Sequence, residues 1–321
     1  MNQHKLISDP KNNRDNNGQV NKKFPAAIHY SISRTCSEQK IVRESLHYKT
    51  YEEAAMIVKK INKPALLTIQ SPDGDLVDCI DKRKQPAFDH PLLRDHKIRR
   101  VPTQWLKLKS GKLKTSVNEV SQIWLRNKTR CPKHTIPIRR TTIDDVMRGS
   151  FISQVGEKQT SNYHTLNTPN LHHEILNSSY YATVVHKEPE GVYGAEARLN
   201  VWQPFVEEIN EFSLAQIWIS SKPYDGELNS IEVGWHVYPL LYGDNGTRFF
   251  IFWTKDGYQT GRCYNIQNCP GFIQTTKKMI VGGALEKISQ YNGTQYDITI
   301  LVRKSRFFYP FDHHLLTVIV N

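Results

Sequence analysis

From about residue 178 to residue 302 the chain repeats one local pattern, a short run of alternating apolar residues followed by turn residues. The runs are "YYATVVH", "VYGAEARLNVWQP", "FSLAQIWIS", "SIEVGWHVYP", "RFFIFWTKD", "GFIQTT", "KMIVGGAL" and "YDITILV". A period of two sends successive side chains to opposite faces. Short strands at this spacing predict an antiparallel sandwich or barrel rather than βαβ units. In "VYGAEARLNVW", Tyr193, Ala195, Ala197, Leu199 and Val201 turn inward and leave Glu196, Arg198 and Asn200 on the polar face. In "SIEVGWHVYP", Ile231, Val233, Trp235 and Val237 share one face, and Glu232, Gly234, His236 and Tyr238 the other. The bland reading puts Glu232 in solvent, with Gly234 marking a bulge or the close approach of another backbone. The sharper one puts Glu232 in a site.

Upstream the pattern changes. Residues 1–45 are rich in Asn, Lys and Asp and predict a disordered leader. "TYEEAAMIVKKIN" predicts a helix, with Thr50 and Glu53 as a capping box and Ala54, Ile57, Val58 and Ile61 as its apolar stripe. "ALLTIQSPDGDLVDCID" places two apolar runs around a Pro-Asp-Gly turn, the signature of a hairpin. "QIWL" and "CPKHTIPIRRTT" read as edge strands and loop. The segments expected are a leader (1–45), a small α+β unit (46–150), a linker (151–177), a β-sandwich (178–302) and a tail (303–321).

Composition narrows the function classes. Hydrophobic residues make up 38% and charged residues 23% of 321, polar but able to fold. No run approaches the ~20 apolar residues of a membrane span, and the first 25 residues lack the apolar stretch of a secretory signal. Against that stand four N-x-[ST] sites, at Asn127, Asn177, Asn245 and Asn292. Cys79, Cys131, Cys263 and Cys269 could form two pairs, leaving Cys36 odd. Together they suggest that the natural N-terminus is not the one given.

Residues 1–160 hold 31 Lys+Arg against 16 Asp+Glu, while residues 161–321 hold 12 against 15. No zinc-finger spacing, RNP-type motif or basic amphipathic helix accompanies the basic half, so nucleic acid and membrane are not expected partners. The expectation is that the basic half packs on the acidic half through partly screened ion pairs, which mild acid would weaken.

Other chemistries find little support. His172, His173 and Glu174, and His313–His314, are adjacent residues, which on a strand point to opposite faces and make poor metal ligands. No metal or other cofactor is expected. No Gly-x-Ser-x-Gly elbow is present. Glu196 is a conceivable partner for Glu232, although Arg198 on its face suggests a surface ion pair. Phe249, Phe250, Phe252 and Trp253 read as sandwich core or groove lining.

At this point two long stretches become familiar. "PALLTIQSPDGDLVDCIDKRKQPAFDHPLLRDHKI" (64–98) resembles the activation segment of the plant neprosin family. "GAEARLNVW", "EFSLAQIWI", "LNSIEVGWHVYPLLYGDNGTRFFIFWTKDGYQTGRCYNIQNCPGFIQT" and "QYDITILV" resemble its catalytic domain. The resemblance implies a secreted, acid-active glutamic endopeptidase that cleaves proline-containing peptides or proteins after proline. It also implies a β-sandwich catalytic domain, kept latent by its own N-terminal segment as an intramolecular inhibitor. Two glutamates form the catalytic pair, and Glu232 matches the first.

One carboxylate takes a proton from water while its protonated partner donates to the scissile carbonyl, and two like charges held close share a proton over an acidic range. Gln216, on a neighbouring strand, could support the oxyanion through its amide or simply cap a strand hydrogen bond. The expected disulfides are Cys79–Cys131 and Cys263–Cys269.

Two departures stand out. The family's second glutamate lies beyond the strand equivalent to "YDITILV", whereas here the chain continues "RKSRFFYPFDHHLLTVIVN" without a glutamate. The Cys263 to Cys269 interval is one residue longer than the family pattern. The expectation is a C-terminally truncated catalytic domain, inactive as a peptidase. The alternative is a non-catalytic sandwich that binds peptide or polysaccharide.

Overall fold

The alternation read from the sequence becomes two antiparallel sheets closed over one apolar core. The protein is described from a computed structural model, over residues 3–7, 26–36, 50–98, 118–149, 178–188, 194–221, 228–254, 263–265, 271–304 and 316–320. One sheet runs β1 (Gln3–Ile7), β8 (Gly194–Asn200), β13 (Tyr296–Lys304) and β14 (Leu316–Val320), with β5 (Asn118–Glu119) pairing parallel to β13. The other runs β12 (Cys263–Tyr264), β11 (Thr247–Thr254), β10 (Asn229–Val237), β9 (Ser213–Ser221), β2 (Ala26–Cys36) and β7 (Ser178–Glu188). Ala195, Ala197, Leu199, Ile298, Ile300 and Val302 of the first sheet meet Ile217, Val233, Trp235, Phe249 and Ile251 of the second in the core. The mainly β fold with a small helix-containing segment before it is therefore as the sequence indicates.

That segment is a three-stranded sheet of β3 (Ala65–Gln70), β4 (Leu76–Asp81) and β6 (Thr135–Arg139), with helix α1 (Tyr51–Ile61) ahead of it. Thr50 and Glu53 form the reciprocal capping box at the start of α1. β3 and β4 are joined through Ser71-Pro72-Asp73-Gly74, where the Gly74 amide bonds the Ser71 carbonyl at 3.0 Å and Gly74 takes φ +92°. That left-handed backbone is why glycine stands there. Cys79 and Cys131 are disulfide-bonded, stapling β4 to the loop before β6.

The structure corrects several expectations. Within the expected leader, Gln3–Ile7 and Ala26–Cys36 are strands, one in each sheet. In "AIHYSIS", Ile28, Tyr30 and Ile32 fall opposite the core-facing positions Ile219, Ile217 and Ala215, so alternation outweighs the polar composition around it. In the expected tail, Leu316–Val320 pairs with β13. "QIWL" is a 3-10 turn over Ile123–Leu125, since Gln122 spends its side chain on neighbouring backbone. "GFIQTT" and "KMIVGGAL" are extended loop rather than strands, apart from isolated bridges at Ala284 and Leu285. The linker 151–177 lies outside the described residues. No helix among those described is long and apolar enough to cross a membrane.

Candidate active site

Glu232 lies on β10 between two paired strands, opposite Trp218 of β9 and Phe252 of β11. With the apolar side chains committed to the core, the other face of the sheet carries Glu232, Gly234 and His236. The row of Gly234 holds Gln216 and Phe250, and the row of His236 holds Leu214 and Arg248. Glu232 is partly buried between Trp218 and Phe252, and the Phe252 ring is 4.7 Å from that of Tyr264 on the next strand. Gly234 answers to packing, since a Cβ there would collide with the Ala215 carbonyl and stand 2.8 Å from Gln216 Cα. The close approach of the neighbouring backbone explains the glycine.

Gln216 is 6% exposed, and its side-chain carbonyl has no hydrogen-bond partner among the described residues. A buried amide oxygen left unpaired is costly, so Gln216 is not spent on capping its strand through that atom. It sits diagonal to Glu232 across Gly234, within reach of a group bound over both. Glu196 is on the other sheet, on the face away from the core, so the whole sandwich separates it from Glu232. Arg198 pairs with Asp297 at 2.6 Å. Glu196 is therefore no partner for Glu232. Across all six strands of the Glu232 sheet, no other position on its face is an Asp or Glu.

The other end of this face is a buried polar cluster that the sequence did not flag. His236 is fully buried, stacked on Phe250 at 4.3 Å, with Nε2 hydrogen-bonded to the Tyr242 hydroxyl at 2.9 Å. Tyr242 belongs to the short helix α2 (Pro239–Tyr242), and Asn265 donates to the same hydroxyl at 2.9 Å. Burial, helped by the charge of Arg248, pulls the imidazole pKa down to about 3. Burial also raises the Tyr242 phenol to about 12.

Arg248 lies over the Tyr242 ring at 4.7 Å and joins two aspartates, Asp244 at 2.6 Å and Asp75 at 2.6 Å. Asp75 follows the β3–β4 turn, so this bond crosses from the small sheet to the sandwich. Its other oxygen accepts from Arg139 Nε at 2.9 Å, and Arg139 in turn pairs with Asp145 at 2.9 Å. Arg148 completes the set on Asp145 at 2.8 Å and donates to the Leu241 carbonyl. Burial pulls the arginine pKa values of Arg139 and Arg248 down, but the aspartates outweigh it and both end raised. Asp145 and Asp244 are pushed up by burial and pulled further down by the arginines, ending below the usual carboxylate range.

Glutamines hold the rest of this junction. Gln122 donates to the Ile280 and Gly283 carbonyls at 2.8 and 3.1 Å and accepts from Trp124 and the Ile280 amide. Gln85 and Gln274 exchange side-chain and backbone bonds at 2.8–2.9 Å. The loop over 271–285 thus satisfies its backbone partly on the side chains of Gln122 and Gln85 and partly on Thr247 and Phe249 of β11, without a continuous ladder. Arg126–Glu286 has the charge polarity expected, basic segment on acidic half. Asp75–Arg248 has the reverse polarity and is buried. Neither the glutamines nor Asp75 carry a local signal, because each partner is distant in sequence.

Cys263 is disulfide-bonded, while the expected partner Cys269 lies outside the described residues. Asn127, Asn245 and Asn292 are exposed, and Asn177 lies outside the described residues. So do His172, His173, Glu174, His313 and His314. Among the described residues no group of three His, Cys, Asp or Glu could hold a metal ion.

Comparison with known families accounts for both parts. The family model for the neprosin activation peptide matches residues 68–185, which contain the hairpin, the disulfide, Asp75 and Arg139. The model for neprosin matches residues 209–307, which contain Glu232, Gln216, His236 and Arg248. Activation-type sheet and sandwich thus occur in one chain, in that order, and the chain belongs to the neprosin family.

Proposed function

We propose that this protein is a latent, acid-active glutamic endopeptidase of the prolyl type, with Glu232 as one member of the catalytic carboxylate pair. The observation that carries the reading is the placement of Glu232, partly buried between Trp218 and Phe252 on the outer face of the sandwich. Aromatic walls suit a proline ring, and an ionised carboxylate beside them can take a proton from water. Gln216 supplies a neutral amide next to that carboxylate. The activation-peptide match fits residues 68–185 as an intramolecular inhibitory segment. The Cys79–Cys131 bond supports an oxidising, extracellular setting, in which Asn127, Asn177, Asn245 and Asn292 are glycosylation acceptors.

The pair needs a second carboxylate, and among the described residues no strand position on the Glu232 face supplies one. The expected outcome is that the 321-residue chain does not cut. Its test is an assay on a proline-containing peptide at acid pH, with Glu232→Gln beside the wild type. Equal, background-level turnover is expected from both, because a missing general acid or base costs roughly 10²–10⁴ in rate. Turnover by the wild type that disappears in Glu232→Gln would overturn the inactivity and confirm the role of Glu232. The second reading, a peptide-binding sandwich without catalysis, is favoured by the same aromatic flanks. It predicts that the peptide quenches tryptophan fluorescence equally in both proteins, with no cleavage product.

A further inference from the structure

The position that Asp75 fills is a built carboxylate seat. Its donors come from two parts of the chain, Arg139 Nε at 2.9 Å from one oxygen and Arg248 Nη1 at 2.6 Å from the other. Both arginines are almost fully buried, with side-chain exposures of 7% and 2%, and Asp75 itself is at 9%. Groups other than Asp75 also hold Arg248: Asp244 accepts from Nε at 3.3 Å and from Nη2 at 2.6 Å, the Gly282 carbonyl accepts from Nη1 at 2.8 Å, and Tyr242 lies against its flat face. Asp244 thus fills the fork, and the remaining Nη1 contact goes to one oxygen of Asp75 while Arg139 Nε takes the other, a pair of charge-assisted donors that a single carboxylate completes. The hairpin turn delivers that carboxylate with a preset backbone.

We propose that the sandwich carries a carboxylate-recognition site centred on Arg248, and that Asp75 is its ligand in cis, keying the small sheet to the Glu232 face. The ligand class is a single carboxylate, either an aspartate at the foot of a tight turn or a small free carboxylate of equal shape. The seat meets the Glu232 strand through Tyr242 and His236, so occupancy is felt on the same face of β10. That last consequence rests on Glu232 marking the site, whereas the recognition itself does not depend on any peptidase activity.

The experiment is chemical rescue on the full chain, read by amide hydrogen exchange. Asp75→Ala removes one carboxylate group, the volume of a formate ion. Breaking a buried pair by removing one partner shifts such equilibria by roughly a hundredfold to a thousandfold. Exchange at the β4 and β6 amides should accelerate by about that factor, while the amides of β13, in the other sheet of the sandwich, keep their protection. Formate should restore protection, and chloride at equal ionic strength should not. Asp75→Asn, which fills the seat without the charge, should lose protection and gain nothing from formate.

Should Asp75→Ala fold poorly, refolding in formate but not in chloride would support the site. Wild-type protection in Asp75→Asn, or rescue by chloride as good as by formate, would overturn it. So would unaltered exchange in Asp75→Ala.

Discussion

His236 is a residue whose protonation the fold resists. Its ring faces Tyr242 and Tyr238, Phe250 and Arg248 of β11, and Tyr264 of β12, so burial and the charge of Arg248 both disfavour the imidazolium. The unfolded chain binds a proton near pH 6.5, and the folded one refuses it until about 3. Stability therefore falls as pH drops through that window, by at most about 5 kcal/mol. Asp145 and Asp244 behave oppositely in range. Their depressed pKa values stabilise the fold above the ordinary value of 3.8, and that contribution is lost only below it. Mild acid thus acts through the histidine, not through Asp145 or Asp244. His236→Phe should flatten the dependence of urea-unfolding free energy on pH between 6.5 and 4. An unchanged slope would show that another group controls it.

At the level of elements, the disulfide and the inserted strand can be tested separately. Cys79 and Cys131 are 52 residues apart, and closing a loop of that size contributes about 4 kcal/mol by restricting the unfolded chain. Replacing both by serine should lower the denaturant midpoint of the small sheet accordingly. A midpoint unaltered by that double replacement would mean the glutamine and arginine junction alone holds the sheet. β2 makes a different claim, because its register is fixed against β9. Ile32 pairs with Ala215, a buried core position, and Ser31 pairs with Gln216 in the next row. If that register holds, Ile32→Asp should destabilise by roughly 3 kcal/mol or more, and Ser31→Asp by under about 1. Equal effects would refute the register.

The whole molecule is held together across its two parts by two kinds of charge contact. Arg126–Glu286 is exposed on the arginine side and open to salt. The set of Arg139, Arg148 and Arg248 with Asp75, Asp145 and Asp244 balances three charges against three, with only Asp244 and Arg148 reaching solvent appreciably. Buried pairs are screened far less than exposed ones. Raising salt to about 1 M, where the Debye length is roughly 3 Å, should therefore leave β4 and β6 protection within about threefold of its low-salt value. A loss of protection with salt as large as that of Asp75→Ala would restore the picture of a screened, surface clamp.

The sequence by itself determined whatever depends on neighbours within a few residues. The capping box of Thr50 and Glu53, the turn at Gly74, the hairpin, and the two faces of β10 all follow from local spacing and are all present. Long ordered motifs also revealed the family, and with it Glu232 as the residue to watch. Tertiary structure alone decided the rest. Whether 271–285 forms strands depended on Gln122 and Gln85 meeting its backbone, and whether Glu196 could serve Glu232 depended on which sheet β8 joined. Asp75 and Arg248 are 173 residues apart, and nothing in either neighbourhood announces the other. Periodicity encodes which face a side chain takes, but the identity of its partner is fixed only when the faces pack.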